Sequence, residues 1–162
     1  CGGNYAASLL PQREAVDQGC DQVVFLDSTD GTYVEELGGM NLWFVHDDGS
    51  IATPSLTGSI LEGITRESIV ELARAAGHEV VERRISIDDW IEGVRSGRIT
   101  EVFACGTAAV VTPVGTLKWD GGEIDSAPDG RAGKVTQSIR DALVDVQYGR
   151  ADDTLGWMRR VV

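Results

Sequence analysis

The distribution of apolar and polar positions along the chain predicts a series of short strands and helices. Short apolar runs bounded by turn residues indicate strands, whereas apolar positions three and four residues apart indicate helices. Strands are predicted at 22–27, 32–37, 41–46, 51–53, 79–86 and, as two strands around a tight turn, within 101–119. Helices are predicted at 4–19, at 66–77, from Ser86 or Asp88 to Gly97, and at 134–149.

The order of these elements predicts the fold class. Strands and helices do not alternate regularly, as they do in a doubly wound parallel sheet. Hairpins come first, one of them turning at Asp48-Gly49, and a helix, a strand, another hairpin and a helix follow. The segment 120–133 is predicted to be a polar loop, and Trp157 and Met158 are expected to dock onto the domain. The pattern predicts an α/β domain with a mixed, largely antiparallel sheet or pseudobarrel and flanking helices.

Composition and charge narrow the function classes. A length of 162 residues fits one domain, and a net charge of -12 repels phosphate backbones, so nucleic acid is not expected as a partner. No apolar run approaches the roughly 20 residues of a membrane helix, so we expect no membrane partner. Three separated cysteines and two histidines favour neither a disulfide framework nor a metal site, and they favour a cytoplasmic protein.

Four short stretches place polar residues or glycines beside apolar segments. They are GGNY (2–5), EELGGMN (35–41), LEGITR (61–66) and ACGTAAVVTPV (104–114). The third leads into a helix whose first N–H groups can bind an anion. The fourth is a glycine turn that can direct the N–H groups of Thr107 and Ala108 into one space, where oxygens of a phosphate or carboxylate can bind.

Each stretch also has an interpretation without a ligand. Tyr5 can be a half-buried core aromatic, and Glu36 can be one of many solvated acids. Thr65 can simply cap its helix, and Gly106-Thr107 can be an ordinary hairpin turn.

The order and spacing of these four stretches resemble those of the branched-chain amino-acid aminotransferases, which are fold-type IV enzymes that use pyridoxal 5′-phosphate. The resemblance covers nearly the whole chain and corresponds to the large C-terminal domain of that family. It implies that the lysine that forms the Schiff base with the cofactor lies immediately before Cys1. The lysine and the small N-terminal domain are therefore expected to be absent from residues 1–162, and this chain alone is expected to be inactive.

The resemblance also implies roles for residues that bind the cofactor. Tyr5 is expected to hydrogen-bond the phenolic oxygen of pyridoxal phosphate, and Glu36 to pair with its pyridine nitrogen. The backbone N–H groups of Ile64 and Thr65 are expected to bind the phosphate, together with the Thr65 hydroxyl. Thr107 is expected to be a further phosphate ligand. No metal is expected.

The implied reaction is transfer of the amino group of leucine, isoleucine or valine to 2-oxoglutarate, with Thr107 and Ala108 presenting N–H groups to the substrate carboxylate. The family resemblance also implies a homodimer. Mammalian members carry a redox CxxC motif where this chain has Ala109 and Thr112, so no thiol switch is expected, and Cys105 is expected to be a packed residue.

Three alternatives remain open on the sequence. Other fold-type IV enzymes include D-amino-acid aminotransferases, amine transaminases and aminodeoxychorismate lyase. Cys1 can instead be an N-terminal nucleophile whose own amino group serves as the base. The domain can also keep the fold without catalysis and act as a binding module.

Overall fold

The computed structural model describes residues 2–127, 129–159 and 161, so the proposals made for Cys1 lie outside the described residues. A 3₁₀ helix spans Gly2–Ser8, and the α-helices are α1 (Leu9–Asp17), α2 (Ile64–Ala75), α3 (Ile87–Ser96) and α4 (Lys134–Gln147). The strands are β1 (Val24–Leu26), β2 (Val34–Leu37), β3 (Met40–His46), β4 (Ile51–Pro54), β5 (Val80–Arg83), β6 (Ile99–Gly106), β7 (Val110–Pro113), β8 (Thr116–Trp119) and β9 (Gly122–Asp125).

Strand β3 is the centre of a seven-stranded sheet. It pairs antiparallel with β6 along almost its whole length. Its other side is shared, because β2 pairs with its first residues and β4 with its later ones. Only the β4–β5 pair is parallel among the described strand pairs, so the predicted mixed and largely antiparallel sheet with flanking helices is confirmed.

Two apolar clusters lie on opposite faces of the sheet, because successive side chains of a strand alternate between faces. On one face Phe44 packs edge-on against Trp90 of α3, with ring centroids 5.1 Å apart. On the other face Trp43 stacks on Phe103 at 5.7 Å and packs with residues of α2 and α4. The molecule is therefore layered, with α2 and α4 on one side of the sheet and α3 with the β8–β9 hairpin on the other.

Several boundaries differ from the predictions. The helix predicted from 66 begins at Ile64, and its N-cap is Gly63 rather than Thr65. The strand predicted through 119 breaks after Pro113, and part of the predicted loop 120–133 forms β9, which pairs with β8. The predicted docking of Trp157 and Met158 is wrong, since both side chains remain exposed.

The predicted disturbance at Pro11 is resolved by a change of helix type. The 3₁₀ helix ends at Ser8, and the α-helix starts at Leu9, so Pro11 falls in its first turn. Proline is tolerated there because the first N–H groups of a helix have no intrahelical partner. Among the described residues, no helix is both long and apolar enough to span a membrane.

Candidate functional site

Three connections meet at one edge of the main sheet. Glu36 at the end of β2 lies opposite Asn41 at the start of β3, and Asn41 lies opposite Cys105 near the end of β6. Side chains directly opposed in antiparallel strands share a face. That face also carries Trp43, so it is the face covered by α2. We call this edge, defined by Glu36, Asn41, Gly106 and Thr107, the site edge.

Glu36 is a partly buried carboxylate with one oxygen already engaged. Its Oε1 accepts a hydrogen bond from the backbone N–H of Leu61 at 2.8 Å. Burial is the largest influence and raises the pKa of Glu36 above its ordinary value of 4.5; the Leu61 N–H opposes this and the charge of Glu35 adds to it. The structure shows no hydrogen bond from a described residue to the other oxygen, Oε2, which is available to a ligand.

Glu35 provides a contrast within the same dipeptide. Its Oε1 accepts a hydrogen bond from the Ser59 hydroxyl at 2.6 Å. Adjacent strand residues point to opposite faces of a sheet. The two carboxylates therefore hold the segment 55–63 at two different points, and only Glu36 lies on the face covered by α2.

Helix α2 begins at the site edge without a side-chain cap. Its N-cap, Gly63, has an extended backbone, and no side chain of the described residues accepts a hydrogen bond there. Thr65 is the second helical residue, so its hydroxyl is misplaced for the N-cap role predicted for it. The N–H groups of Ile64 and Thr65 belong to the first turn, which has no intrahelical acceptors and carries the positive end of the helix dipole. Such a turn can bind an anion.

The turn between β6 and β7 lies beside the β2–β3 turn. It comprises Thr107, Ala108 and Ala109, and the side chains of Thr107 and Ala108 are exposed. A Cβ on Gly106 would lie 3.4 Å from Met40, which places the two turns in contact. Val110 closes the turn with a φ of 57°, a conformation that is unfavourable for a β-branched residue.

Tyr5 reaches the same edge from the 3₁₀ helix. Its ring lies 3.8 Å from the position that a Cβ on Gly39 would occupy, next to the β2–β3 turn. The side chain is 54% exposed, so it is not a core aromatic. Its hydroxyl has no hydrogen-bond partner among the described residues.

Cys105 is fully buried behind this edge. Its sulfur accepts a hydrogen bond from the Trp43 indole N–H at 3.2 Å. Burial raises the pKa of the Cys105 thiol to about 11. The thiol therefore stays protonated at neutral pH, in keeping with the packed role expected for it.

The structure brings all six predicted site residues to the site edge or its immediate surroundings. The sequence analysis missed the part played by the segment from Leu61 to Gly63, which joins Glu36 to the start of α2. The contact is made through a backbone N–H, for which a sequence pattern has no signal. Asn41 also carried no predicted role. It is buried and donates a hydrogen bond from Nδ2 to the carbonyl of Leu61 at 3.0 Å.

Comparisons with known proteins place this edge in a family. Residues 2–117 match the model of class IV amino-transferases. A probable branched-chain-amino-acid aminotransferase of Streptomyces coelicolor is 57% identical over 97% of this chain, which spans 43% of that protein. The branched-chain-amino-acid aminotransferase of Mycobacterium tuberculosis is 54% identical over 99% of this chain, which spans 44% of it.

Solved structures give the same result. The branched-chain amino acid aminotransferase of Escherichia coli matches 99% of this chain and 50% of its own, at 39% identity and a TM-score of 0.78. A second bacterial branched-chain amino acid aminotransferase, solved with pyridoxamine 5′-phosphate, matches with a TM-score of 0.82 and 37% identity, over 99% of this chain and 49% of its own.

The fold is thus that of the branched-chain aminotransferase structures, with the site edge at the start of α2. The chain belongs to the class IV aminotransferase family. It spans about half the length of the relatives it matches.

Proposed function

We propose that the full-length enzyme containing this chain is a pyridoxal 5′-phosphate-dependent aminotransferase that acts on leucine, isoleucine and valine, with 2-oxoglutarate as the acceptor. The observation that carries the proposal is the half-buried carboxylate of Glu36, at the same edge as the uncapped start of α2. A cationic or N–H-bearing ring at one end and an anion at the other complement this pair. The identity of 54% and 57% with two branched-chain aminotransferases supports the substrate class.

The residues present fit this cofactor. The phosphate matches the free N–H groups of Ile64 and Thr65 and the exposed turn at Thr107, since each offers donors to an anion. The pyridine nitrogen matches the free Oε2 of Glu36. The unpartnered hydroxyl of Tyr5 matches the phenolic oxygen.

When bound, pyridoxal phosphate supplies an electron sink for the electrons released at the substrate Cα. Glu36 holds a proton on the ring nitrogen. Its raised pKa is suited to such a partner, because a positive charge beside a carboxylate favours the ionised form and offsets the cost of burial. The Leu61 N–H orients the carboxylate by occupying Oε1.

The N–H groups of Thr107 and Ala108 bind the carboxylate of the substrate. Donors fixed in a turn need no reorganisation when the charged group arrives, which is the basis of electrostatic preorganisation. The strained backbone at Val110 closes this turn and supports the geometry of its N–H groups.

Further parts of the proposal concern the rest of the enzyme. We propose that residues 1–162 are the C-terminal cofactor-binding domain, that the catalytic lysine immediately precedes Cys1, and that a small N-terminal domain completes the substrate pocket. Helix α1 has no buried residue, and its Leu9 and Leu10 side chains are each 67% exposed, which suits coverage by another part of the enzyme. A homodimer in the cytoplasm is also proposed.

The test uses the purified full-length enzyme. Amino transfer to 2-oxoglutarate is measured with leucine, isoleucine and valine, and with D-alanine and a primary amine as competing donors. We expect activity with the three branched-chain amino acids. Preference for D-alanine or the amine would assign the enzyme to another fold-type IV activity, and no transfer with any donor while the cofactor is bound would favour a non-catalytic role.

Glu36 and Glu35 form a matched pair of variants for the same assay. Glu36→Gln should lower kcat by at least about 100-fold, the scale on which loss of a charge-stabilising group is felt in an active site. Glu35→Gln changes a neighbouring carboxylate that binds Ser59 and should stay within about threefold of wild type, as expected for a partly exposed polar contact. Equal effects of the two substitutions would contradict the role given to Glu36.

A further inference from the structure

Asn41 lies between the two ends of the proposed cofactor site. It is directly opposite Glu36 in the β2–β3 pair, and its side chain is 6% exposed. Its Nδ2 donates to the Leu61 carbonyl at 3.0 Å, while the N–H of Leu61 donates to Glu36 at 2.8 Å. Asn41 and Glu36 therefore hold the two sides of one residue, Leu61.

The hydrogen bonds continue from Leu61 into α2. The Leu61 carbonyl also accepts from the N–H of Gly63 at 2.8 Å. Gly63 is the N-cap of α2, and its carbonyl accepts the N–H of Glu67 at 3.0 Å. One carbonyl oxygen thus joins the Asn41 side chain to the residue from which the helix starts.

Gly63 is also in direct contact with Asn41. A Cβ on Gly63 would lie 2.5 Å from the Asn41 Oδ1, closer than real Cβ atoms approach a neighbour. The backbone of Gly63 has a φ of -70° and a ψ of 131°, which any L-residue can adopt. Glycine is needed here because of the amide of Asn41, and not because of backbone conformation.

We infer that Asn41 is a positioning residue that sets the spacing between Glu36 and the start of α2, so that one rigid cofactor can contact both. The inference rests on the proposed function, since it assigns Asn41 a role through groups that bind pyridoxal phosphate. Asn41 itself touches neither the ring nor the phosphate. It acts by fixing the segment from Leu61 to Gly63 against the β2–β3 hairpin.

A rigid ligand makes this spacing matter. Ring and phosphate are bonded within one small molecule, so both ends bind well only when their partners are correctly separated. A ligand that lacks the phosphate contacts one end only and does not depend on the spacing. The gain in affinity that the phosphate provides therefore measures the spacing directly.

The experiment compares the dissociation constants of pyridoxal 5′-phosphate and pyridoxal for the full-length apoenzyme, measured by quenching of protein fluorescence. The ratio of the two constants gives the phosphate gain. Asn41→Ala should reduce this ratio by about tenfold, since loss of one or two buried hydrogen bonds has effects of this size. Affinity for pyridoxal should fall by a much smaller factor.

Two further variants sharpen the result. Gly63→Ala places a methyl group against Asn41 and should reduce the ratio as Asn41→Ala does. The double variant should be no worse than Asn41→Ala alone, because removal of the amide makes room for the new methyl group. If Asn41→Ala does not fold, the ratio for Gly63→Ala decides the matter.

Thr53→Val is the control. The Thr53 hydroxyl donates to the carbonyl of Leu42 at 2.7 Å, which is a buried bond of the same kind one residue further along β3. It should lower thermal stability without changing the ratio. An unchanged ratio in Asn41→Ala, or effects of Asn41→Ala and Gly63→Ala that multiply in the double variant, would overturn the inference. Failure of the wild-type enzyme to bind pyridoxal phosphate would instead overturn the proposed function.

Discussion

Glu36 shows that a residue suited to binding a ligand can destabilise the protein without that ligand. Its carboxylate is partly removed from water, and burial raises its pKa more than the Leu61 N–H lowers it. A raised pKa in the folded state means that folding favours the protonated form. The stability that this provides is fully present below the ordinary value of 4.5 and is lost as the pH rises through the folded value.

This sign gives a test on the full-length apoenzyme. Glu36→Gln stays neutral at all pH values, so the variant should be more stable than wild type at pH 7. The difference in the free energy of unfolding, measured by urea denaturation, should shrink as the pH falls and vanish below about 4, where the wild-type carboxyl is protonated. A variant that is less stable than wild type at pH 7 would mean that the Leu61 hydrogen bond outweighs burial.

At this scale the sequence is informative about residue type but not about partners. The position of Glu36 before two glycines is visible in the pattern, and the family resemblance assigns it a role. Leu61, the partner of both Asn41 and Glu36, lies 20 residues from the first and 25 from the second in sequence. Such contacts follow from the packing of the segment 55–63 beside β3, which no local pattern encodes.

Among the elements, α4 shows a helix start that depends on another element. Its N-cap is Gly133, which has no side chain to cap the helix. Glu101 on β6 takes this role, since its carboxylate accepts the N–H of Val135 at 3.1 Å and that of Thr136 at 2.8 Å. The Thr136 hydroxyl also donates to Glu101, at 2.7 Å. The negative charge lies at the positive end of the helix dipole.

Loss of this cap should be measurable. Glu101→Ala in the full-length enzyme should lower the free energy of unfolding by about 1–2 kcal/mol, as for other lost N-caps. Glu123→Ala is the control, because Glu123 is an exposed strand residue 3.8 Å from Lys118. An exposed ion pair of this kind contributes less than about 1 kcal/mol. Equal losses in thermal or urea denaturation would contradict the capping role.

Helix starts also explain which boundaries can be predicted. Ser86 caps α3 in a reciprocal capping box with Asp89, and Ser86 is one of the two starts that the sequence predicts for this helix. The starts of α2 and α4 have glycine N-caps, so the local signal is missing and the first turn is available to other partners. Thr65 has the side chain of a typical cap, but the helix begins before it.

For the whole molecule, the sequence is sufficient to predict the mixed, largely antiparallel sheet and its flanking helices. The predictions rely on hairpins with turn residues between them, and pairing of that kind is encoded locally. The β8–β9 hairpin escapes prediction because its outer strand is four residues long and contains a glycine and two acidic residues. The apolar residues of the tail predict docking, but Trp157 and Met158 are exposed in this chain.

The site edge is assembled only at this largest scale. Four stretches separated by tens of residues meet because β3 pairs with β2, β4 and β6 at once. Each stretch has an ordinary structural interpretation when taken singly. Their meeting at one edge, together with the family match over residues 2–117, supports the functional one.

The measurement that tests the central claim most directly is a crystal structure of the full-length enzyme with pyridoxal 5′-phosphate bound. The account predicts the Glu36 carboxylate within hydrogen-bond distance of the pyridine nitrogen. It also predicts the phosphate at the N–H groups of Ile64 and Thr65 and at the Thr107 turn. A cofactor bound elsewhere, or one whose ring nitrogen faces a group other than Glu36, would contradict it.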